Sequence, residues 1–262
     1  MEKQKFKKGR ISTRSLATVS LLCAISIILA RVFGIVVPIA GFPALKLNFA
    51  FLPLIIAGML YGPTAGMLCG LVSDLLGYMI NPQGGAFFPG FTLSTALCGM
   101  IPGLLEKMME RFRKIPLKLL NSLFIFLLSG AFLTVLIVSG TLHISSGQIY
   151  YGQHALHWSI VALGGLIFIA YLLMPYLISR KFKNKYQMID KVYFVVTITY
   201  LIVAVLLNTF FLSYYFGKGF LVFLPVRILS AYIMIPLNTV LIVLIFKTLK
   251  IYDGGKQRGL QE

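Results

Sequence analysis

Residues 46–77 read KLNFAFLPLIIAGMLYGPTAGMLCGLVSDLLG, and this stretch decides the class of fold. Two apolar runs flank Tyr61-Gly62-Pro63, and the only charges are Lys46 and Asp74. Glycine recurs at 58, 62, 66 and 70, and Asp74 takes the next place in the register. A spacing of four keeps these positions near one helix face, where small residues let backbones approach closely in a solvent that supplies no hydrophobic force between helices. Pro63 interrupts the register and predicts a tight turn between two closely packed membrane helices. Gly99-x-x-x-Gly103 and Ser20-x-x-x-Ala24 repeat the pattern elsewhere in the chain.

Working outward, further apolar blocks give predicted spans near 15–37, 46–61, 64–80, 92–106, 119–140, 158–179, 192–216 and 221–247. A helix rising about 1.5 Å per residue needs about 20 residues to cross a hydrocarbon core of about 30 Å, and the shorter blocks need local thinning. With 58% hydrophobic residues, 12% charged residues and a mean hydropathy of +0.90, the chain lies outside the range of water-soluble domains. The expectation is an all-α integral membrane protein, one helical bundle of about eight spans over 1–262.

The net charge of +17 raises nucleic acid as a partner, but its placement argues otherwise. Twenty of the 24 basic residues fall in four clusters: 1–14, 107–118, 180–191 and the segment from Lys247 onward. Basic loops are retained on the cytoplasmic side. An even number of spans with both termini cytoplasmic places all four clusters there, in a multi-pass protein of the cell membrane. The charge then reports topology, adds some affinity for anionic membrane lipid, and leaves nucleic acid without a role. The first span is too long for a removed signal peptide and reads as a retained helix. Cys23, Cys69 and Cys98 all fall within spans and read as small packing residues.

The charges left near the other membrane face are Arg31, Lys46, Asp74, Lys218 and Arg227. Intramembrane charge is costly and usually functional. Arg31, Lys46, Asp74 and Arg227 fall at one level in the outer third, beneath two loops rich in Gly, Pro and aromatics, 38–45 and 81–91. One reading is a pocket for a small, net-anionic, ring-bearing molecule, with Arg31, Lys46 and Arg227 for carboxylates and Phe87, Phe88 and Phe91 for stacking. The other is that Asp74 pairs with an arginine to hold helices together, and the aromatics form an interfacial belt. His143, His154 and His157 cluster in 141–157 without a nearby carboxylate or cysteine, and read as polar loop residues rather than metal ligands. No phosphate-cradling loop, dinucleotide fingerprint, nucleophile elbow or metal motif is visible. A non-enzymatic chain without a cofactor, unable to hydrolyse ATP by itself, is expected.

Leu16–Arg31 (LATVSLLCAISIILAR), the opening stretch and Pro82–Gly99 (PQGGAFFPGFTLSTALCG) together resemble the substrate-binding S component of energy-coupling factor (ECF) vitamin transporters, closest to the folate-type group. Leu207–Pro236, with Asn208, Tyr214, Gly217 and Leu224-Pro225-x-Arg227, is similar to the same group's last two helices. The resemblance implies a high-affinity capture subunit for folate or a related vitamin. It would dock on a transmembrane scaffold subunit that carries two cytoplasmic ATPases. It also implies a vitamin site built from outer loops and helix ends, which here brings Phe87, Phe88, Pro89, Gly90, Phe91 and Thr92 to the charged level. Ser20 and Ala24 occupy the family's docking motif on the first helix. Family members typically have six spans, so a core of 12–110 and 192–250 with an inserted two-helix segment at about 115–190 is expected. An autonomous secondary transporter of a small organic anion is the competing class. Internal repeats and midplane ion ligands mark that class, and the sequence has no visible repeat and a single acid at the charged level.

Overall fold

The computed structural model describes residues 13–39, 42–47, 49–82, 86–111, 116–138, 142–145, 148–151, 154–155, 186–249, 252–253 and 256–257. Helices α1 (Thr13–Arg31), α2 (Phe51–Tyr61), α3 (Pro63–Ile80), α4 (Pro89–Arg111) and α5 (Leu117–Val138) come first. A later rod runs from α6 (Tyr186–Thr199) through a π-helical segment (Tyr200–Leu207) into α7 (Asn208–Phe216), and α8 (Phe220–Thr248) follows. Four of these stretches are long and apolar enough to cross a membrane: Thr13–Arg31, Pro63–Ile80, Met188–Phe216 and Phe220–Thr248. Phe51–Tyr61 and Leu119–Thr134 are shorter apolar helices. The chain is a helical membrane protein. The predicted span at 158–179 and the basic residues at 1–12 and 180–185 lie outside the described residues.

Turn chemistry sets the helix ends. Gly62, at φ +90°, makes a one-residue connection between α2 and α3, and Pro63 starts α3 where its missing N–H costs nothing. Gly217, at φ +61°, caps α7 in the left-handed conformation.

The glycine register forms the contact that the spacing predicts. A Cβ on Gly58 or Gly66 would collide with the Gly99 carbonyl, and one on Gly70 would collide with the Thr95 carbonyl and lie 2.9 Å from the Ala96 Cα. Gly103 faces the backbone of Pro63 in the same way. Helices α2, α3 and α4 therefore meet backbone to backbone. Cys23, Cys69 and Cys98 are buried free thiols; the Cys23 Sγ donates to the Cys69 carbonyl at 3.7 Å.

The outer connection departs from expectation. Helix α1 ends at Arg31, and the stretch read as its outer end pairs as strand β1 (Ile35–Ile39) with β2 (Phe42–Leu47) in an antiparallel hairpin. Ile35-Val36-Val37 precedes Pro38, and β-branched residues before a proline favour extended backbone over helix. The predicted span 46–61 shortens to α2, which at 11 residues is about 16 Å long. Strand β2 lies against α8. Non-helical backbone at membrane depth is tolerated where protein or a cavity covers it. Lys46, expected to open a helix, pairs through its backbone with Val36. The segment read as a histidine-bearing outer loop also contains paired strands: β3 (Leu142–Ser145), β4 (Gln148–Tyr151) and β5 (His154–Ala155). His157 lies outside the described residues. A last strand pair joins β6 (Tyr252–Asp253) to β7 (Lys256–Gln257).

The second half packs through side chains. Phe124 of α5 meets Phe194 of α6 at 6.2 Å between ring centroids, and Phe132 meets Tyr232 of α8 at 6.5 Å. The Tyr232 hydroxyl bonds the Ser129 hydroxyl, and the Asn121 amide donates to the Asp190 carbonyl at 3.3 Å. Lys191, read as part of a basic cluster on the cytoplasmic side, donates to the Glu106 carboxylate at 2.7 Å. Glu106 is only 4% exposed, and a carboxylate so placed needs a cation. The pair brings the C-terminal end of α4 to the start of α6.

Candidate functional site

Toward the opposite end, a cavity of about 440 Å³ lies among α1, α2, α3, the start of α4, the π segment, α7 and α8. That volume falls within the range of about 300–1,000 Å³ usual for small-molecule sites. Its walls are mainly apolar and aromatic, with Phe51, Tyr78, Phe87, Phe88, Phe91, Tyr200, Tyr215 and Phe216. Polar groups converge on it from Ser26, Arg31, Ser73, Asp74, Thr95, Asn208, Arg227 and Ser230.

One wall carries an ion pair, within which the Arg31 Nε is buried with no hydrogen-bond partner among the described residues. The last turns of α3 cradle Arg31, with the Arg31 Nη2 3.7 Å from the Asp74 Oδ1 and Nη1 donating to the Asn81 carbonyl at 2.9 Å. Gly77 lies beneath the guanidinium, and a Cβ there would stand 2.9 Å from Nε. Thr92 of α4 donates to the other Asp74 oxygen at 2.7 Å. Asp74 is thus paired with an arginine, as one of the two sequence readings has it, and the pair also lines the cavity, as the other has it.

The facing wall is electrically open. Arg227 comes from the second turn of α8, and its Nε is buried with no hydrogen-bond partner among the described residues. No carboxylate within the described residues pairs with it. In the same lining, Asn208 opens α7 directly after the π segment, and its Oδ1 is likewise buried without a partner among the described residues. A π-helical stretch within a helix frequently marks a functional site. Tyr200, at the start of that stretch, accepts a 2.9 Å hydrogen bond from Asn238.

The aromatic segment divides between two roles. Phe87 and Phe88 line the cavity, and Phe88 is also the hub of a ring cluster with Phe91, Phe211, Tyr214 and Tyr215, at centroid distances of 5.4, 5.8, 6.1 and 5.6 Å. The Ala86 N–H donates to the Tyr215 hydroxyl at 3.1 Å, tying the loop to α7. Three of the predicted site residues are not in the lining. Pro89 starts α4, Gly90 leaves room for Phe88 against Phe211, and Thr92 acts through Asp74. Of Lys46, only the backbone belongs to the described residues. Ser26, Tyr78, Tyr200, Asn208, Tyr215 and Ser230 enter the lining without having been singled out as site residues. Asn208 and Tyr200 are polar groups inside a strongly apolar run, which is the signal that would have found them.

The family model for the substrate-specific component of ECF transporters matches residues 14–165. The chain belongs to this family. Among curated relatives, a folate transporter FolT from Clostridium novyi (strain NT) is 44% identical over 62 residues, which is 24% of this chain and 36% of the relative. A folate transporter FolT from Leuconostoc mesenteroides subsp. mesenteroides is 31% identical over 96 residues, 36% of this chain and 48% of the relative. The chain therefore spans less than half the length of these two relatives. A crystal structure of FolT bound with folic acid aligns over 94% of this chain and 98% of its own, with a TM-score of 0.50 and 18% identity. That likeness is one of fold, and it sets this ECF component beside a solved relative of similar architecture.

Proposed function

We propose that this ECF component captures folate or a closely related anionic, ring-bearing vitamin in the cavity between α1 and α8. The observation that carries the reading is the pairing of an aromatic lining with Arg227, a buried cation that no described carboxylate neutralises. A site of that composition favours a ligand that brings negative charge and a flat ring system. The family and the folate transporters among its relatives support the same substrate class. In this reading Arg31, Asp74, Phe87, Phe88 and Phe91 bound the ring, Lys46 adds positive charge, and Pro89, Gly90 and Thr92 set the frame.

The same proposal gives the chain about eight spans with both termini cytoplasmic, and a cytoplasmic end marked by the Glu106–Lys191 pair. It has the chain working with a transmembrane scaffold and two ATPases. Helix α1 suits docking because it buries only Cys23 and Ser26, while Ser20 and Ala24 lie on its exposed face. Small residues there let a partner helix approach closely.

Protein purified in detergent, stripped of bound small molecules and titrated with folic acid by calorimetry, tests the reading. Saturable one-to-one binding is expected. Mass spectrometry of the molecule released on purification is expected to find a pterin, and release of an unrelated compound with no response to folic acid would overturn the substrate assignment.

A further inference from the structure

Three free thiols lie inside the bundle and outside the cavity lining, and two of them face each other across a helix crossing. Cys23 comes from the middle of α1 and Cys69 from the second turn of α3, 46 residues apart in the chain. Each sulfur reaches the backbone of the other helix: the Cys23 Sγ donates to the Cys69 carbonyl at 3.7 Å, and the Cys69 Sγ donates to the Val19 carbonyl, one turn before Cys23, at 3.8 Å. The two thiols also contact each other. A small apolar residue at either position would fill the crossing, so two thiols in contact add a chemistry that packing does not use.

Helix α1 is where a bond between them has most to act on. It buries only Cys23 and Ser26, and 11% of its span lies inside the protein, against 28%, 50% and 39% for the other three long spans. Ser26 on the Ala50 carbonyl and Arg31 on Asp74 and the Asn81 carbonyl tie its second half, and the sulfur contacts lie nearer its middle. Both cysteines fall within membrane-spanning helices, so an oxidant that reaches them has to be apolar.

We infer that Cys23 and Cys69 form an oxidation site, a thiol pair that a lipid-soluble hydroperoxide converts to a disulfide stapling α1 to α3. Cys23, the more exposed of the two at 7% against 2%, attacks the peroxide; the O–O bond breaks, the thiol proton leaves with the departing alcohol, and the sulfur is oxidised to a sulfenic acid. The Cys69 thiol then attacks that sulfur, the S–S bond forms, and the hydroxyl leaves as water with the Cys69 proton. The protein loses two hydrogens with their electrons, and the hydroperoxide is reduced to an alcohol and water. Because the second step joins groups already in contact, it outruns further oxidation of the sulfenic acid. The bond fixes α1, whose exposed face carries Ser20 and Ala24, onto the glycine-packed helices, and it does so whatever molecule the cavity takes.

The site is tested on full-length protein in lipid nanodiscs treated with cumene hydroperoxide. Intact mass is expected to fall by about 2 Da, the two thiol hydrogens. Cys23 and Cys69 peptides should be recovered joined, and Cys98 as a free thiol. The melting temperature is expected to rise by about 5–10 °C, since the cross-link closes a 46-residue loop. Amide exchange along α1 should slow, and dithiothreitol should reverse all of these changes. Cys23→Ala and Cys69→Ala are each expected to abolish the mass loss and the melting rise, and Cys98→Ala to leave both standing. Wild-type thiols that stay reduced under conditions that fully oxidise dithiothreitol overturn the inference. So do oxygen adducts on unlinked Cys23 or Cys69, or a link made to Cys98 or to a second molecule. A Cys23–Cys69 bond that leaves melting and α1 exchange unchanged overturns the staple.

Discussion

The halves of this bundle are joined by different means. Helices α2, α3 and α4 touch through backbone, with Gly58, Gly66, Gly70, Gly99 and Gly103 at the crossings. Helices α5, α6 and α8 touch through rings and polar side chains: Phe124 on Phe194, Phe132 and Ser129 on Tyr232, Asn121 on the Asp190 carbonyl. In lipid, both solutions replace the missing hydrophobic force with packing and hydrogen bonds. They differ in tolerance. A backbone seam has no side chain that can move aside, whereas a side-chain interface can repack. The ion-paired wall of the cavity belongs to the first half and the wall of Arg227 and Asn208 to the second.

The sharpest way to break the contrast is to fill the seam. Gly99→Val sets its Cβ against the Gly66 backbone, and neither helix can yield without parting from the other. A loss of about 3 kcal/mol or more is expected, seen as failure to recover folded protein or a steep fall in melting temperature in detergent. Near-parental stability would mean that the seam is not the rigid element described.

The next largest effect is expected where the halves join. Glu106→Ala removes the carboxylate that faces Lys191, and because the Lys191 side chain is 21% exposed and can reach water, about 2–3 kcal/mol is expected rather than the full cost for a buried charge. The double substitution Glu106→Leu with Lys191→Met should recover most of that loss, since it removes both charges together. A double variant as unstable as Glu106→Ala would show that the pair does more than satisfy its own burial.

Within the side-chain half, smaller effects follow. Phe194→Leu keeps most of the volume and should cost about 1 kcal/mol as neighbouring rings adjust. Tyr232→Phe removes one hydroxyl from the Ser129 contact and should cost about 0.5–1.5 kcal/mol. Both are measured as melting shifts against the same reference, and a Phe194→Leu loss matching Gly99→Val would erase the distinction between the halves.

What the sequence disclosed follows the same division. The glycine register was legible because a four-residue period is a local property of one helix pair, and the Tyr61-Gly62-Pro63 turn carries its own chemistry. The cation level was legible because charge in an apolar run is conspicuous; Arg31, Asp74 and Arg227 do meet one cavity. The hairpin was hidden by hydropathy, since Ile35-Val36-Val37 is as apolar as a helix end and only its β-branching and Pro38 argued for strand. The Glu106–Lys191 pair joins residues 85 apart, and no local pattern announces it. Glu106 sits with Lys107, Glu110 and Arg111 at the charged end of α4, so its own surroundings in the sequence do not set it apart. Asn208 was noticed as part of a resemblance, but its open acceptor depends on how the π segment turns the rod, which periodicity does not predict.

The glycine seam also has a consequence for motion. Amides held where three backbones interlock can exchange with solvent only by parting helices, so hydrogen exchange should be slowest along α2, α3 and α4. The eight-residue π segment Tyr200–Leu207, with wider i→i+5 bonds, stands on the other side of the cavity. Exchange along the rod that carries it is expected to be faster than along the seam. Under the proposed function, a bound molecule would then leave by the α6–α8 side, the half that the glycines do not clamp.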